Sequence, residues 1–385
     1  MHLNKIVRWW LTPKFPDAQI RKAIEYHPKG VKNYLRDKLR TWVIHPLKRR
    51  VAKYYLALLK KFFNVTVVGI TGSCGKTTTK EMLVSILKLN GKTVYSYANI
   101  DPIFNIPTTI LRCRPSTRYL ILEMGVEYPG EMDFYLWLTK PDICVITNIH
   151  PTHTEFFGSV NGVFQEKKKL VENLFAGSIT VLNYQNKYLR SLEGKVDAKI
   201  VWFNKEGSKL VDQENAQAAV RVARSLGVGD KDIKIGLKKY SPQPHRMTVI
   251  KHKSGAVIID DSYNNNPEAA RRIITTFSDL AGRRSKVVIF GDMLELGQLD
   301  KQSHKEIGEL LANQNLSALI CVGNSSKITA EEVARSLGKH RASWVKNWQR
   351  AVPLVAKTLK KNTVVLIKGS RSIGLDNLVA ALLDN

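Results

Sequence analysis

The stretch Gly69-Ile-Thr-Gly-Ser-Cys-Gly-Lys76-Thr-Thr-Thr79 follows the β-branched run Val65–Ile70 and precedes a segment with helical periodicity, residues 76–89. Its glycines allow successive backbone N–H groups to turn toward one point, and the first turn of a helix adds a favourable dipole for an anion. A strand, a glycine-rich loop, Lys-Thr and a helix in this order predict a loop that binds the phosphates of ATP. A chance glycine-rich turn is the alternative.

The predicted phosphate-binding loop departs from the common spacing, which is G-x-x-x-x-G-K-[ST]. That spacing expects glycine at position 70, where this chain has Ile70. Lys76 is expected to reach the β- and γ-phosphates, and the Thr77 hydroxyl is expected to bind Mg²⁺. The residues expected to bind the nucleotide along this stretch are Gly72, Ser73, Gly75, Lys76, Thr77 and Thr78.

The composition is that of a globular protein with an unusual charge. The chain has 385 residues, enough for two or three domains, and 60 Lys or Arg against 33 acidic residues give a formal net charge of +27. Such a surface favours anionic partners: nucleotides, nucleic acid, anionic lipid or phosphate-bearing cell-wall precursors. The four cysteines lack metal-ligand spacing and predict free thiols in a reducing compartment. Without an apolar run of ~18 residues or a signal peptide, the sequence predicts a cytoplasmic protein.

Residues 1–63 are predicted to form a basic helical N-terminal extension. Residues 1–64 contain 16 Lys or Arg and three acids, and apolar residues recur at helical spacing from Val31 to Phe63. One interpretation is an arm that packs on the next domain. A second is an arm at the inner membrane surface, with Trp9 and Trp10 at the interface. Nucleic-acid binding is the least favoured, because no recognised nucleic-acid motif is present.

From Asn64 onward the sequence alternates between strand and helix patterns, which is typical of α/β domains with mostly parallel sheets. A central ATP-binding domain is predicted over residues 64–240, and a second, Rossmann-like α/β domain over residues 241–385. A further helix is expected from Glu214 to Leu226. The expected strands are Val65–Ile70, Tyr119–Met124, Ile143–Asn148, Val257–Asp260, Lys286–Phe290, Ala318–Val322 and Thr363–Ile367.

Three more residues are candidates for chemistry. Glu123 ends an apolar run and offers the hard oxygen ligands that Mg²⁺ needs beside phosphates; a buried structural carboxylate is the alternative. His153 follows another strand, where open α/β sheets bind ligands, although a structural role in the loop or, with His150, part of a zinc site also fits. Lys167 lies in Glu166-Lys-Lys-Lys169, which alone could be a solvated charged face.

Together these motifs resemble the Mur ligase family, whose members join amino acids or peptides to cell-wall precursors with ATP. The loop Thr71-Gly-Ser-Cys-Gly-Lys-Thr-Thr78 matches the family's own variant, which accounts for Ile70. The run from Thr147 through His153-Thr-Glu-Phe-Phe-Gly158 to Lys167 matches as well. Four later motifs follow in order, namely Pro244-His-Arg-Met247, Asp260-Asp-Ser-Tyr-Asn-Asn-Asn-Pro267, Gly291-Asp-Met-Leu-Glu-Leu-Gly297 and Lys368-Gly-Ser-Arg371.

The resemblance implies roles for individual residues. Lys76 would bind phosphates, while Thr77 and Glu123 would hold one Mg²⁺. His153 would hold a second Mg²⁺, shared with a carbamate on Lys167, since a lysine that becomes a carbamate turns into an anionic oxygen ligand. The residues implied to be catalytic are Lys76, His153 and Lys167. The residues that match the family's other nucleotide contacts are Asn215, Arg246 for a phosphate, and Asp261 for the ribose hydroxyls.

The implied function is that of an ATP-dependent amide ligase in cell-wall precursor synthesis. It would activate a carboxylate as an acyl phosphate and join it to the amine of an amino acid or dipeptide. The resemblance begins near Val65, so the family's domain for the UDP end of the precursor has no counterpart in residues 1–64. The stretch Asn99–Pro107 matches the two ends of the family's substrate-loop motif but differs from it in the middle. The alternatives are a lipid-linked or non-murein precursor, a nucleotide-binding interaction protein without ligation, and, less favoured, a P-loop kinase or nucleic-acid ATPase.

Overall fold

The residues that the computed structural model describes are 5–12, 14–25, 31–97, 100–207 and 211–384. The chain forms two compact units, one from residues 1–150 and 160–240, the other from residues 151–159 and 241–385. Asn99, at the start of the predicted substrate motif, lies outside the described residues. Among the helices of the described ranges, none combines the length and the apolar character that a membrane span needs.

The described part of the N-terminal extension is helical. Its helices are α1 (Lys5–Leu11), α2 (Asp17–Glu25), α3 (Val31–Leu39) and α4 (His45–Phe63). A π-helical turn, Arg40–Ile44, joins α3 to α4, and the N–H of His45 donates to Arg40 O. The prediction of a helical extension is therefore confirmed, including the segment from Val31 to Phe63, whereas the bounds of α1 and α2 were not predicted. Asn64, in the left-handed conformation with φ 51°, ends α4.

The first unit contains a parallel sheet in the order β2-β3-β1-β4-β5-β6. Its strands are β1 (Thr66–Thr71), β2 (Thr93–Tyr95), β3 (Tyr119–Glu123), β4 (Ile143–Ile146), β5 (Ile179–Asn183) and β6 (Lys199–Phe203). The predictions for β1, β3 and β4 are confirmed, and β2, β5 and β6 were missed. Ile70 pairs with Glu123 on one side and Val145 on the other. The carboxyl ends of three central strands therefore meet at one edge of the sheet.

Helices pack on the first sheet, and α5 begins directly after the predicted phosphate-binding loop. They are α5 (Lys76–Leu87), α6 (Pro102–Ile110), α7 (Glu131–Leu138), α9 (Val160–Glu172), α10 (Lys187–Arg190), α11 (Val211–Ser225) and α12 (Asp230–Lys239), while α8 (Thr154–Phe157) belongs to the second unit. An apolar cluster joins β1 to α5 and α11 through Ile70, Leu83 and Val222. The two predicted helices in this unit are confirmed, with ends that differ from the predicted ones by at most three residues.

The second unit has a mixed sheet in the order β11-β10-β9-β12-β8-β7. Its strands are β7 (Thr248–Lys251), β8 (Val257–Asp261), β9 (Ser285–Gly291), β10 (Ala318–Val322), β11 (Ala342–Val345) and β12 (Thr363–Lys368). The edge strand β7 pairs antiparallel with β8, and the other pairs are parallel. The four strands predicted here are confirmed, whereas the edge strands β7 and β11 were missed.

Helices lie on both faces of the second sheet. They are α13 (Pro267–Ala281), α14 (Asp300–Ala312), α15 (Ser326–Leu337), α16 (Trp348–Ala356) and α17 (Leu375–Asp384), with single 3-10 turns at Gly297–Leu299, Lys339–Arg341 and Arg371–Ile373. Side chains alternate along β9, so Val288 and Phe290 pack with α13 to α15, and Val287 and Ile289 pack with α16 and α17. This double burial explains why the central strands are continuous apolar runs in the sequence.

Candidate active site

Gly72 and Gly75 form the turns of the predicted phosphate-binding loop. Their φ angles are 142° and 79°, a region that favours glycine. A Cβ atom on Gly72 would lie 1.9 Å from Thr147 Oγ1, and one on Gly75 would lie 2.2 Å from Asn215 Oδ1. Gly75 is also the residue before α5, and no side chain caps this helix start. The loop is therefore shaped to present backbone N–H groups to an anion such as a polyphosphate.

Ile70 is the residue that departs from the common loop spacing. It lies inside β1, is 0% exposed and belongs to the apolar cluster under α5. The turn begins at Gly72, after the strand has ended at Thr71. A glycine at position 70 would therefore remove a core side chain without helping the turn.

Asn148, after β4, holds the loop in place and was not predicted to do so. Its Oδ1 accepts from the N–H of Cys74 at 2.9 Å, and its carbonyl accepts from the N–H of Ser73 at 3.0 Å. The Ser73 hydroxyl donates to His150 O at 2.9 Å. The run Thr147–His150 therefore supports the phosphate-binding loop through backbone groups and the Asn148 amide, whereas the sequence pointed to this region because of His150 and His153.

Lys76 begins α5 and lies over the loop. Its Nζ donates to Gly72 O at 2.8 Å and to Ser73 O at 3.3 Å. A cation in this position suits the phosphate oxygens that the sequence predicts it to bind. Of the other predicted loop ligands, Ser73 is buried and Thr78 is half-buried.

Thr77 and Glu123 lie together beside the loop, as a site for Mg²⁺ requires. The Thr77 hydroxyl donates to Glu123 Oε1 at 2.9 Å. Lys80 Nζ, fully buried, lies 3.2 Å from Glu123 Oε2 and donates to Ser96 O at 2.8 Å. One hydroxyl and one carboxylate next to a phosphate loop are the hard oxygen ligands that Mg²⁺ prefers. The residues present therefore fit a magnesium ion bound with the nucleotide phosphates.

Asn215, in α11, packs directly against the loop. It is 2% exposed, and its Oδ1 accepts from the Thr79 hydroxyl at 3.3 Å. Within the described ranges, its buried Nδ2 has no hydrogen-bond partner. A buried amide donor with no protein acceptor fits the prediction that Asn215 binds a nucleotide, although it touches the loop through Gly75 in this structure.

Lys167, in α9, is a buried amine that forms no salt bridge within the described ranges, although the charges of Glu166 and Glu131 partly offset the effect of its burial. It is 1% exposed, and in the described part of the chain its Nζ has no hydrogen bond or ion pair. Burial, reinforced by the charge of Lys76, lowers the pKa of Lys167 well below its ordinary value. The neighbouring Glu166 is committed elsewhere, since its carboxylate accepts from the N–H groups of Gly130 and Met132. Lys167 is therefore suited to react as a neutral amine rather than to pair as a cation.

Replacing Lys167 with methionine is expected to stabilise the protein in CO₂-free buffer. A folded-state pKa below the unfolded value of 10.5 means that the unfolded chain binds more protons at neutral pH, so the free energy of unfolding rises with pH up to about that value. Lys167→Met should raise that free energy at neutral pH by ~1 kcal/mol or more, since a tenfold change in proton affinity corresponds to ~1.4 kcal/mol. Denaturant unfolding across this pH range measures it.

The gain from Lys167→Met should shrink as the pH approaches the unfolded pKa. Lys168→Met is the matched control, because Lys168 is next in sequence, partly exposed and paired with Glu172 at 2.8 Å. This control should leave the pH dependence of unfolding unchanged. A gain for Lys167→Met that is constant with pH would show that improved packing, not proton binding, is responsible.

His153 lies in the second unit and has a carboxylate partner that the sequence did not reveal. Its Nδ1 is 2.5 Å from Glu295 Oε2, and the N–H of Glu155 donates to Glu295 O at 3.1 Å. A carboxylate that accepts from Nδ1 leaves Nε2 of the same ring to bind a metal. Within the described ranges, no group of three or more His, Cys, Asp or Glu residues is arranged to hold a metal ion.

Asp261 and Arg246, the other predicted nucleotide contacts, also lie in the second unit. Asp261 Oδ2 accepts from the buried Lys368 Nζ at 2.7 Å. The guanidinium of Arg246 lies 4.0 Å from the centre of the Tyr263 ring, which the Arg371 guanidinium approaches to 5.7 Å. Tyr263, Lys368 and Arg371 all fall within motifs noted in the sequence, where no role was predicted for them.

Two family profiles match the chain over most of its length. The Mur ligase middle domain matches residues 70–238, and the Mur ligase, glutamate ligase domain matches residues 245–371. The UDP-N-acetylmuramoyl-tripeptide–D-alanyl-D-alanine ligase of Buchnera aphidicola subsp. Baizongia pistaciae (strain Bp) is 31% identical over 355 residues, with 83% of this chain and 76% of that protein covered.

Solved structures give the same result. MurF from Acinetobacter baumannii has a TM-score of 0.79 at 25% identity, with 89% of this chain and 81% of that chain covered. MurF ligase from Thermotoga maritima in complex with ADP has a TM-score of 0.76 at 26% identity, with 88% and 83% covered. The sequence motifs, the phosphate-binding loop and these similarities agree: the chain belongs to the Mur ligase family.

Proposed function

We propose that this chain is an ATP-dependent amide ligase that joins the carboxylate of an anionic cell-wall precursor to the amine of a dipeptide. The observation that carries the proposal is the loop with Lys76 above it and the Thr77–Glu123 pair beside it. The names of the relatives support a UDP-N-acetylmuramoyl-tripeptide and D-alanyl-D-alanine as the two substrates. In the second unit, Arg246 and Asp261 are proposed as further nucleotide contacts.

Magnesium is proposed at Thr77 and Glu123, where a hydroxyl and a carboxylate oxygen lie 2.9 Å apart. When bound there, Mg²⁺ would neutralise charge on the phosphate groups during transfer. Lys80 keeps the Glu123 carboxylate in place through its 3.2 Å contact with Oε2. Lys76 contributes a further positive charge at the loop, where its Nζ donates to Gly72 O.

A carbamate on Lys167 is part of the proposal. The neutral amine of Lys167 would attack CO₂, forming an N–C bond and releasing a proton, and the product would be an anionic oxygen ligand. The lowered pKa of Lys167 favours the neutral amine that this reaction needs. The assignment of a second Mg²⁺ to this carbamate and to His153 stays a prediction, with Glu295 as the residue that orients the His153 ring.

The reaction then proceeds in two steps. A carboxylate oxygen of the precursor attacks the γ-phosphorus of ATP, the bond from that phosphorus to the bridging oxygen breaks, and ADP leaves. The amine of the second substrate attacks the carbonyl carbon of the acyl phosphate, phosphate leaves, and the nitrogen loses a proton to give the amide. Activation is needed because a carboxylate is a poor electrophile, and water must be excluded because the acyl phosphate hydrolyses.

The test is a mass spectrum of the product together with phosphate release. The full chain is incubated with ATP, Mg²⁺, bicarbonate, UDP-N-acetylmuramoyl-tripeptide and D-alanyl-D-alanine. The expected product has the mass of the two substrates less one water, with one phosphate released per amide formed. Phosphate release that does not depend on both substrates contradicts the proposal, and ATP binding without turnover favours the interaction protein that has lost ligation.

A contact with the inner membrane surface through the N-terminal extension completes the proposal. In the structure, Trp9 is exposed, and the half-buried Trp10 donates from Nε1 to Trp42 O at 2.5 Å. The two tryptophans therefore differ, and Trp9 is the one whose ring is open to a membrane interface. Offering the enzyme a lipid-linked precursor in place of the soluble one tests whether this contact bears on substrate choice.

A further inference from the structure

An exposed apolar stripe runs from the last residue of α3 along α4, on the side away from the buried face of α4. Its members share an exposed fraction between 43% and 62%, and they are Leu39, Val43, Leu47, Val51, Leu58 and Phe62. The opposite side of α4 carries Ala52, Leu56 and Leu59, each at most 1% exposed. The stripe runs from Leu39 to Phe62, which at 1.5 Å per residue is ~35 Å. This is the α3–α4 stripe.

The π-helical turn at Arg40–Ile44 keeps this stripe on one side of the helix. In a regular α-helix, two residues four positions apart differ by ~400° in rotation about the helix axis. Side chains that repeat every four residues therefore shift by ~40° around the axis at each repeat. From Leu39 to Val51 that drift would move the side chains by ~120° around the axis. A π turn has more residues per turn and rotates the following residues backward. The turn therefore brings Leu39, the last residue of α3, closer to the side of the axis on which Leu47 and Val51 lie in α4.

Positive charge borders the stripe. Residues 35–63 contain nine Lys or Arg and a single acidic residue, Asp37. Several of these cations serve the fold, such as Lys60, which lies 2.7 Å from Asp142, and Lys53, which lies over the Trp137 ring. Arg36, Arg40 and Lys61 are exposed. A long apolar stripe bordered by cations is the pattern of a helix that lies in the interface of an anionic membrane.

We infer that the α3–α4 stripe lies on the surface of an anionic lipid bilayer, with its apolar residues among the acyl chains and Arg36, Arg40 and Lys61 at the headgroups. The positive charge beside the stripe favours a bilayer over a second copy of the chain as the surface that covers it. Two copies that met through this stripe would bring their cations against one another, whereas anionic lipid headgroups would neutralise them. The inference deepens the membrane contact of the proposed function, and it assigns that contact mainly to α3 and α4 rather than to the two N-terminal tryptophans.

Co-sedimentation of the full chain with vesicles tests the inference. Vesicles of phosphatidylglycerol and phosphatidylcholine should bind the protein at least ~10-fold more tightly than vesicles of phosphatidylcholine alone, and added salt should weaken the binding. The variant Leu47→Gln/Leu58→Gln/Phe62→Gln should bind the anionic vesicles at least ~10-fold more weakly. The variant Arg36→Gln/Arg40→Gln/Lys61→Gln should lose most of the preference for phosphatidylglycerol.

The matched control removes exposed apolar side chains elsewhere. Val249→Gln/Leu280→Gln/Leu383→Gln changes three residues that are 42% to 65% exposed and lie outside the stripe, and it should bind vesicles as the parent does. All variants should unfold at the same temperature as the parent, because the altered side chains are at the surface. Equal sedimentation of the parent and the stripe variant overturns the inference. So does a parent that binds no vesicles but forms a dimer that the stripe variant abolishes.

The ligation assay with soluble substrates, run on the same preparations, separates this inference from the proposed function. Ligation without vesicle binding rejects the membrane contact alone. Vesicle binding without ligation rejects the proposed reaction and leaves the membrane contact standing. The stripe variant should ligate soluble substrates at the rate of the parent, because its three substitutions are on the exposed side of the extension.

Discussion

Lys167→Ala is expected to lower the rate of amide formation at least ~100-fold, and formate or acetate is expected to restore part of the loss. The reason is the proposed carbamate. Lys167 is buried, and burial lowers its pKa well below the ordinary value, so its amine is suited to react with CO₂ in the neutral form. Alanine removes the amine and leaves a cavity beside Lys76, into which a small carboxylate can bring the two oxygens that the carbamate would have supplied.

Initial rates of product formation, with and without formate, measure this effect. The matched control is Lys168→Ala, because Lys168 pairs with Glu172 and should be dispensable. Removal of CO₂ and bicarbonate should slow the parent but not Lys167→Ala. A parent that is indifferent to CO₂, together with a variant that no carboxylate rescues, would mean that Lys167 acts as an amine and that the carbamate is wrong.

Most central strands of both sheets could be predicted from the sequence, because a strand that is buried on both faces is a nearly continuous run of apolar residues. Ala318–Val322 and Thr363–Lys368 are continuous apolar runs, and each strand was found within a residue of its ends. The edge strands Thr248–Lys251 and Ala342–Val345 were missed because their exposure alternates or is partial, and short mixed patterns of this sort resemble loops. The strand Ile179–Asn183 was missed as well, since its five residues include the polar Thr180 and Asn183.

The phosphate-binding loop and its proposed magnesium ligands Thr77 and Glu123 could be located from the sequence, because each lies in the loop or at the end of a predicted strand. Thr77 and Glu123 are brought together by the pairing of β1 with β3, whereas the alternating pattern predicts a parallel sheet without its strand order. The contact between His153 and Glu295 was not predictable, because 142 residues separate them and no periodic pattern links them. The same is true of the α3–α4 stripe, whose alignment depends on one π-helical turn that no propensity rule foresees.

The burial of Lys80 could not be predicted from the sequence motif. It follows Thr79 in the sequence and was not singled out, because nothing in the residue order says that its side chain is buried. In the structure it is 0% exposed and contacts Glu123, Glu81 and Ser96. A buried lysine among two carboxylates and a carbonyl is held by those partners, in contrast to Lys167, which is buried without them.

Lys76→Met and Lys80→Met are expected to give opposite results, although the two lysines are one turn apart on α5. Lys76→Met should lower the rate of phosphate transfer by ~100- to 1000-fold, because Lys76 supplies positive charge where negative charge develops. Its protein contacts include hydrogen bonds to two loop carbonyls, and because such bonds contribute modestly, the free energy of unfolding should fall by ~1 kcal/mol. Phosphate release at saturating ATP and denaturant unfolding measure the two effects.

Lys80→Met should mainly destabilise the fold. Breaking a buried ion pair leaves the partner charge uncompensated and costs ~3 kcal/mol or more, and here the partner is Glu123. Because Glu123 is the proposed Mg²⁺ ligand, the variant should also need a different Mg²⁺ concentration for half-maximal activity, while transfer at saturating Mg²⁺ falls far less than in Lys76→Met. If Lys76→Met destabilised the protein as much as Lys80→Met and still transferred phosphate, Lys76 would be a structural residue of the loop, and the proposed chemistry would lose its main cation.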